Sequence, residues 1–188
     1  MFLSVVPRPA VPEYVLHQVL WGYFPNIDRG EQRPFVFRVE PGRIIVLSRT
    51  APSCTSLRIA DRIHAGQVLQ FEVLASAANC VAGRRRVEIT DNCARRAWLA
   101  RRMDGAVITF SQVYDRLQLQ FVKSGGKKIT VPRFKAVGTV HVQDRAAFIA
   151  AMLHGIGGRG CWGCGLLLLP EIMPEVCRGA VDRYRAIA

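Results

Sequence analysis

The feature that most limits the fold of this chain is the order in which its apolar residues change spacing. Residues 2–6 form an apolar, β-prone run, and Pro7, Pro9 and Pro12 then break it. From Pro12 to Phe24 the spacing turns helical. Val15, Val19 and Tyr23 fall at four-residue steps with Leu16 and Leu20 beside them, and Pro12 suits the opening of a helix. Phe35, Phe37 and Val39 next alternate with Val36, Arg38 and Glu40; Pro41-Gly42 makes a turn, and Ile44 to Ser48 reads as the returning strand of a hairpin. After a less regular stretch, Val68 to Leu74 alternates again.

The second half repeats this order. Asp91 is placed to cap a helix over 92–103, strands fit 106–114, 117–123 and 128–142, and Asp144 caps a further helix over 145–154 that Gly155 ends. Gly165 to Leu169 reads as a last apolar strand. The pattern predicts an α+β fold of two tandem ferredoxin-like (RRM-like) domains, each βαββαβ, provided a second helix lies within 54–64. The expected division is a first domain over 1–82, a second over 83–169 and an extension over 170–188, in which 175–186 fits a short helix without an assigned role. Two units of this size can each bury a usable core.

Charge narrows the function. Lys and Arg number 26 against 14 acidic residues, a formal +12, and such a field draws polyanions, nucleic acid above all. With half of its residues hydrophobic and about a fifth charged, the composition is that of a globular chain and excludes a disordered one. No run approaches the ~20 apolar residues of a membrane helix, the first residues lack a basic secretion signal, and the six cysteines are irregularly spaced. A reducing cytoplasm with free thiols is the expectation. Cys161-Trp162-Gly163-Cys164 is a lone CxxC without a second ligand pair, and it precedes a strand instead of opening a helix, so neither a metal nor a redox role is expected. The turn Gly155-Ile156-Gly157-Gly158-Arg159-Gly160 lacks a Gly-Lys-Ser/Thr ending and follows its helix, which argues against a nucleotide cofactor; no cofactor is expected.

Two basic clusters are the candidate nucleic-acid contacts. Arg84, Arg85 and Arg86 follow Gly83, and Arg95, Arg96, Arg101 and Arg102 crowd two neighbouring sides of the next helix. Guanidinium forks match phosphate oxygens. Lys123, Lys127 and Lys128 flank Ser124-Gly125-Gly126 at an expected hairpin tip. Gly157, Gly158 and Arg159 join them, because glycines let backbone N–H groups approach phosphate. On the first helix His17 follows Tyr14 by three residues, so both rings project from nearly one side. A histidine can exchange a proton near neutral pH and a tyrosine can orient it, although such a pair taken alone is more often part of a packed helix face. His64, His141 and His154 have no comparable context.

Three segments together resemble the CasE family, the repeat-processing endoribonucleases of type I-E CRISPR systems. Leu16-His17-Gln18-Val19-Leu20-Trp21-Gly22-Tyr23-Phe24-Pro25, with Tyr14 before it, is similar to that family's first helix. The stretch Arg84–Arg102, with Ala97-Trp98-Leu99, is similar to a middle segment. Gly155-Ile156-Gly157 and then Gly163-Cys164-Gly165-Leu166-Leu167 resemble its carboxy-terminal glycine-rich loop and last strand. The order is kept over about residues 1–169.

The resemblance implies two ferredoxin-like domains that bind the stem-loop of CRISPR repeat RNA and cut pre-crRNA at its 3′ base. It also implies retention of the crRNA product alongside other subunits of a Cascade-like effector complex. His17 then stands as the catalytic histidine and Tyr14 as its assistant. The RNA's own 2′-hydroxyl attacks, leaving a 2′,3′-cyclic phosphate and a 5′-hydroxyl without a metal. Lys123, Lys127, Lys128 and Arg159 are the candidates for a cation beside the scissile phosphate. Two departures stand out. Trp162 is bulky where smaller residues are expected, and the tail after Pro170 extends beyond the family pattern, as in a divergent subtype such as a type IV processing subunit. The competing readings are a crRNA-holding subunit that does not cut, and a basic RNA-binding protein without a CRISPR link.

Overall fold

Gly42, at φ 73°, closes a tight turn that sets the first hairpin in register, Glu40 opposite Arg43 and Phe35 opposite Ser48. The two strands are β2 (Phe35–Glu40) and β3 (Arg43–Ser48), and with β1 (Phe2–Pro7) and β4 (Ser56–Arg58) they make an antiparallel sheet in the order β2-β3-β1-β4. This is a computed structural model, and it describes residues 1–28, 32–81, 85–122, 125–157 and 162–177.

Between β1 and β2 the expected helix is shorter than its apolar spacing suggests. A 3-10 turn, Glu13–Val15, leads into α1 (Leu16–Trp21). Leu16 and Leu20 are buried against Phe35, Phe37 and Val46, so α1 covers one face of the first sheet. Each such burial contributes about 1.5–3 kcal/mol. The second helix expected within 54–64 is absent. β4 and a 3-10 turn, Ala60–Arg62, occupy that stretch, because pairing with β1 (Phe2 opposite Arg58, Ser4 opposite Ser56) holds the chain extended. Only Ile59 and Ile63 then turn inward.

β5 (Val68–Ala75) falls within the first domain expected over 1–82. It does not close the first sheet; it lies inside a second sheet of order β10-β5-β9-β8, formed with β8 (Ala106–Val122), β9 (Lys128–Val142) and β10 (Leu167–Leu168). The second unit therefore runs β5, α2 (Asn92–Ala100), β8, β9, α3 (Arg145–His154), β10, and its strand order repeats that of the first. The strands of the first sheet end at Arg58 and those of the second begin at Val68. The physical reason is burial. Leu69, Phe71, Val73 and Ala75 are all buried and need neighbours on both sides, whereas the short, polar β4 suits the open edge beside β1. A small hairpin, β6 (Ala78–Val81) and β7 (Arg85–Glu88), is inserted between β5 and α2.

The two strands expected at 106–114 and 117–123 are one. β8 runs through with register shifts between Ile108 and Phe110 and between Tyr114 and Arg116, so the irregularity read as a break is a bulge. Both expected caps form. Asp91 Oδ1 accepts from Ala94 N at 2.7 Å, and Asp144 Oδ1 from Ala146 N and Ala147 N at 2.8 and 3.0 Å. Each cap is worth ~1 kcal/mol.

One apolar cluster spans both units. Val36, Ile45 and Leu47 of the first sheet meet Phe71, Phe134, Phe148 and Leu166 to Leu169 of the second. The extension joins it through Ile172, Met173, Val176 and Cys177, the last two on α4 (Pro174–Cys177). Arg43 Nη2 donates to Val176 O and Arg62 Nη1 to Ile172 O, both at 2.8 Å, while Glu171 accepts from Gln70 N at 3.1 Å. Ile172, Met173, Val176 and Cys177 thus belong to the core, while Glu171, Pro174 and Glu175 stay exposed. The rest of the helix expected over 175–186 lies outside the described residues. No helix among the described residues is long and apolar enough to cross a membrane.

Candidate functional site

Pro12 fixes the turn from which the candidate catalytic pair projects, and the second unit's long hairpin meets that turn. Tyr14 stacks on Phe121 of β8, with ring centroids 5.8 Å apart and planes at 26°. Phe121 in turn lies 4.8 Å from Trp162, tilted at 42°. Three rings from three separate segments so form one contiguous cluster, the first pair stacked and the second tilted, each only partly buried.

Arg133 of β9 approaches the same turn. In the hairpin register Phe121 stands opposite Ile129 and Leu117 opposite Arg133, and residues 129, 131 and 133 share a face. Phe121 and Arg133 thereby hold the Glu13–Val15 turn from one side of the hairpin. Glu13 Oε2 is 3.7 Å from Arg133 Nη2, and its other oxygen accepts from Arg8 at 3.2 Å. The Arg133 side chain is 14 % exposed, and its Nε and Nη2 are buried without a hydrogen-bond acceptor among the described residues. A cation held this way is costly to leave unsatisfied and gains from an anionic oxygen that reaches it. His17 is half-buried, one residue into α1 and one turn beyond Glu13 and Tyr14. The structure thus brings the turn carrying Tyr14 and His17 onto the second unit. It also adds Arg133, Phe121 and Trp162, which the sequence reading did not group with them. Arg133 sits in an ordinary alternating strand, and only the pairing register reveals what it faces.

The basic residues sort differently from the expectation. Arg95 is 4 % exposed; its Nε donates to Ile89 O at 2.8 Å, Nη1 to Asn92 Oδ1 at 3.2 Å, and its guanidinium covers the Phe134 ring at 5.2 Å. Glu88 lies 3.4 Å from Nη2. This arginine ties α2 to the β7 end and is removed from the phosphate contacts. Arg96, Arg101 and Arg102 are exposed, Arg102 lying over the Trp98 ring at 5.6 Å. Lys127 and Lys128 are exposed at the β8–β9 tip, where Gly125 and Gly126 take φ of 96° and 77°. Arg85 and Arg86 lie on β7, opposite Val81 and Cys80. Arg84, Lys123, Gly158 and Arg159 lie outside the described residues, as does Cys161.

Gly157 also departs from the expectation. It has φ 100°, and a Cβ there would stand 2.6 Å from the Trp98 ring, so the bare glycine is accounted for by close packing on α2, not by approach to a ligand. His64 and His154 are exposed and His141 half-buried on β9.

A family model described as "CRISPR associated protein" matches residues 8–170. Among curated proteins, the CRISPR system Cascade subunit CasE of Escherichia coli (strain K12) is 28 % identical over 184 residues, covering 85 % of this chain and 92 % of that protein. The crystal structure of the CRISPR-associated protein Cas6e from Escherichia coli K-12 superposes with a TM-score of 0.72 at 25 % identity, over 90 % of this chain and 98 % of its own. A structure of CRISPR endoribonuclease Cse3 bound to 19-nucleotide RNA gives a TM-score of 0.75 at 21 % identity, over 89 % and 98 %.

Proposed function

The chain belongs to the CRISPR-associated protein family, in company with CasE, and from that membership we propose that it binds the stem-loop of CRISPR repeat RNA and cuts it at the 3′ base. The observation that carries the proposal is the seating of the Tyr14–His17 turn on the second unit's hairpin, with the Arg133 guanidinium held at that contact. On this reading the turn supplies a proton-transfer group and an aromatic hydroxyl and the hairpin a cation, the groups that cleavage of a phosphodiester by its neighbouring 2′-hydroxyl requires.

In this reaction the 2′-oxygen bonds to phosphorus as the P–O5′ bond breaks, leaving a 2′,3′-cyclic phosphate and a 5′-hydroxyl. His17 takes the 2′-OH proton or returns one to the departing 5′-oxygen. Tyr14, braced by Phe121, donates its hydroxyl to a phosphate oxygen or to the imidazole. Arg133 neutralises the charge that grows on the non-bridging oxygens, the term worth most in such sites. Arg96, Arg101, Arg102, Lys127 and Lys128 offer exposed charge for the RNA backbone, and the sequence adds Arg84, Arg85, Arg86, Lys123 and Arg159 as further cations and Gly158 as a backbone contact. Side chains cannot read the deep major groove of A-form RNA, so recognition leans on phosphates, shape and opened pairs near the cut. The product stays bound as crRNA within a Cascade-like complex, the setting of the CasE relative.

The test is incubation of wild type and His17→Ala with end-labelled repeat RNA in EDTA. Cleavage by wild type alone, with a cyclic phosphate terminus, bears the proposal out. Tight binding by both proteins without cleavage makes the chain a guide-holding subunit instead.

A further inference from the structure

The Trp162 ring lies against Phe121, which in turn stacks on Tyr14. We propose that these rings form a stacking platform: Trp162 receives the unpaired nucleobase that flanks the cut. The inference rests on the reading of the chain as a repeat-RNA endoribonuclease and goes beyond it by naming what holds the base beside the scissile bond.

Three observations carry it. The rings of Tyr14, Phe121 and Trp162 are all partly exposed, whereas Phe35, Phe37, Phe71, Phe134 and Phe148 are buried to within 1 % of complete. These three rings thus keep surface at the edge of the core, where bases could stack. The stack is also assembled from three elements, the turn before α1, the end of β8 and the segment after the glycine-rich loop, so it sits at the meeting point of both units. Finally, the Arg133 Nε and Nη2 groups, lacking acceptors among the described residues, lie on the same hairpin face. A platform of rings on the same hairpin face as a guanidinium with donors to spare matches a nucleotide, a flat base with an anionic phosphate attached. Single-stranded RNA is recognised in this way, by unstacked bases laid on aromatic side chains.

The geometry of Gly163 supports the placement. Its φ is 72°, and a Cβ there would stand 3.2 Å from Val39 and 3.5 Å from Phe37, so the residue after Trp162 is pinned close to β2. The indole is thereby held on a firm base, which lowers the ordering cost of stacking.

The experiment uses the full chain with hairpin RNA from its own repeat carrying 2-aminopurine at the unpaired nucleotide beside the cut. In a His17→Ala background the RNA stays intact. Binding is expected to change the 2-aminopurine fluorescence, and adding Trp162→Leu is expected to abolish that change and weaken affinity roughly 10- to 100-fold. An abasic nucleotide at the same position is expected to weaken binding to the His17→Ala protein by the same factor, and to have no further effect on the double variant. The abasic arm needs no change at position 162, so it decides the matter even where Trp162→Leu unfolds the loop. Equal affinity of the parent protein for abasic and intact RNA overturns the platform while leaving the nuclease reading in place. Failure of wild type to bind or cut the repeat hairpin removes that reading, and the platform with it.

Discussion

The Arg38 guanidinium, on the first sheet, is paired with the Glu72 carboxylate, on the second. Glu72 is also bound by Lys135 of β9, Nζ to Oε2 at 2.8 Å, and Arg38 by Glu40, Nε to Oε1 at 3.5 Å. Removing one member of a buried pair strands the other charge in a poor solvent, at a cost of about 3–5 kcal/mol. Glu72→Ala should therefore lower unfolding stability by that amount in urea titration. Arg38→Met with Glu72→Leu should recover part of the loss, because the guanidinium is no longer stranded although Lys135 still lacks its Glu72 partner.

Arg133→Ala should slow single-turnover cleavage by about 10²- to 10³-fold, the usual cost of losing one donor to developing charge. Hairpin affinity should fall by much less, and Arg133→Lys should recover part of the rate. An unchanged cleavage rate with a lowered unfolding midpoint would make Arg133 a structural partner of Glu13 only.

The arginines of α2 should separate into two kinds. Arg95→Ala should destabilise the chain by about 2–3 kcal/mol, since Ile89 O, Glu88 and the Phe134 ring lose their partner. Arg101→Ala should leave stability within about 0.5 kcal/mol and flatten the salt dependence of RNA binding by about one unit of slope if it meets a phosphate. Chemical denaturation and affinity against salt, run on both variants, make the comparison.

Thiol chemistry gives a further check. Burial pushes the Cys177 thiol up to about 12 from an ordinary 9.0, and the Glu72 carboxylate adds to the rise. The thiolate is the reactive form, and a raised pKa keeps it scarce at every pH below about 12. At pH 8 an alkylating reagent should label exposed Cys93 readily and leave Cys177 untouched until urea opens the core. Peptide mapping after labelling reads out both sites.

Much of the fold was legible because local chemistry and tertiary structure agree. Asp91 and Asp144 precede apolar spacing of helical period, and both cap; Pro41-Gly42 sits between alternating runs, and a hairpin forms. Misreadings arose where the deciding partner is distant in sequence. β5 alternates as an edge or an inner strand would, and only its pairing with β9 and β10 assigns it to the second sheet. Arg95 belongs to an arginine-rich helix, but its turn of that helix faces Phe134, which no spacing rule within 92–103 could show. Of the site, the Tyr14–His17 spacing was visible on one helix. Phe121, Arg133 and Trp162 were not, since they reach that turn through hairpin register and loop packing.

The strand order sets a timetable for synthesis. β1 to β4 can pair as soon as Arg58 has left the ribosome, and α1 then has its own face to cover. β5 emerges next but must wait for β9 on one side and for β10 on the other, with Leu69, Phe71 and Val73 still uncovered. Since Ile172, Met173 and Val176 close the shared core, its burial is finished only when almost the whole chain is out. The nascent protein therefore carries a half-built second sheet through most of its translation, and a pause late in the message would lengthen the interval in which that sheet can aggregate.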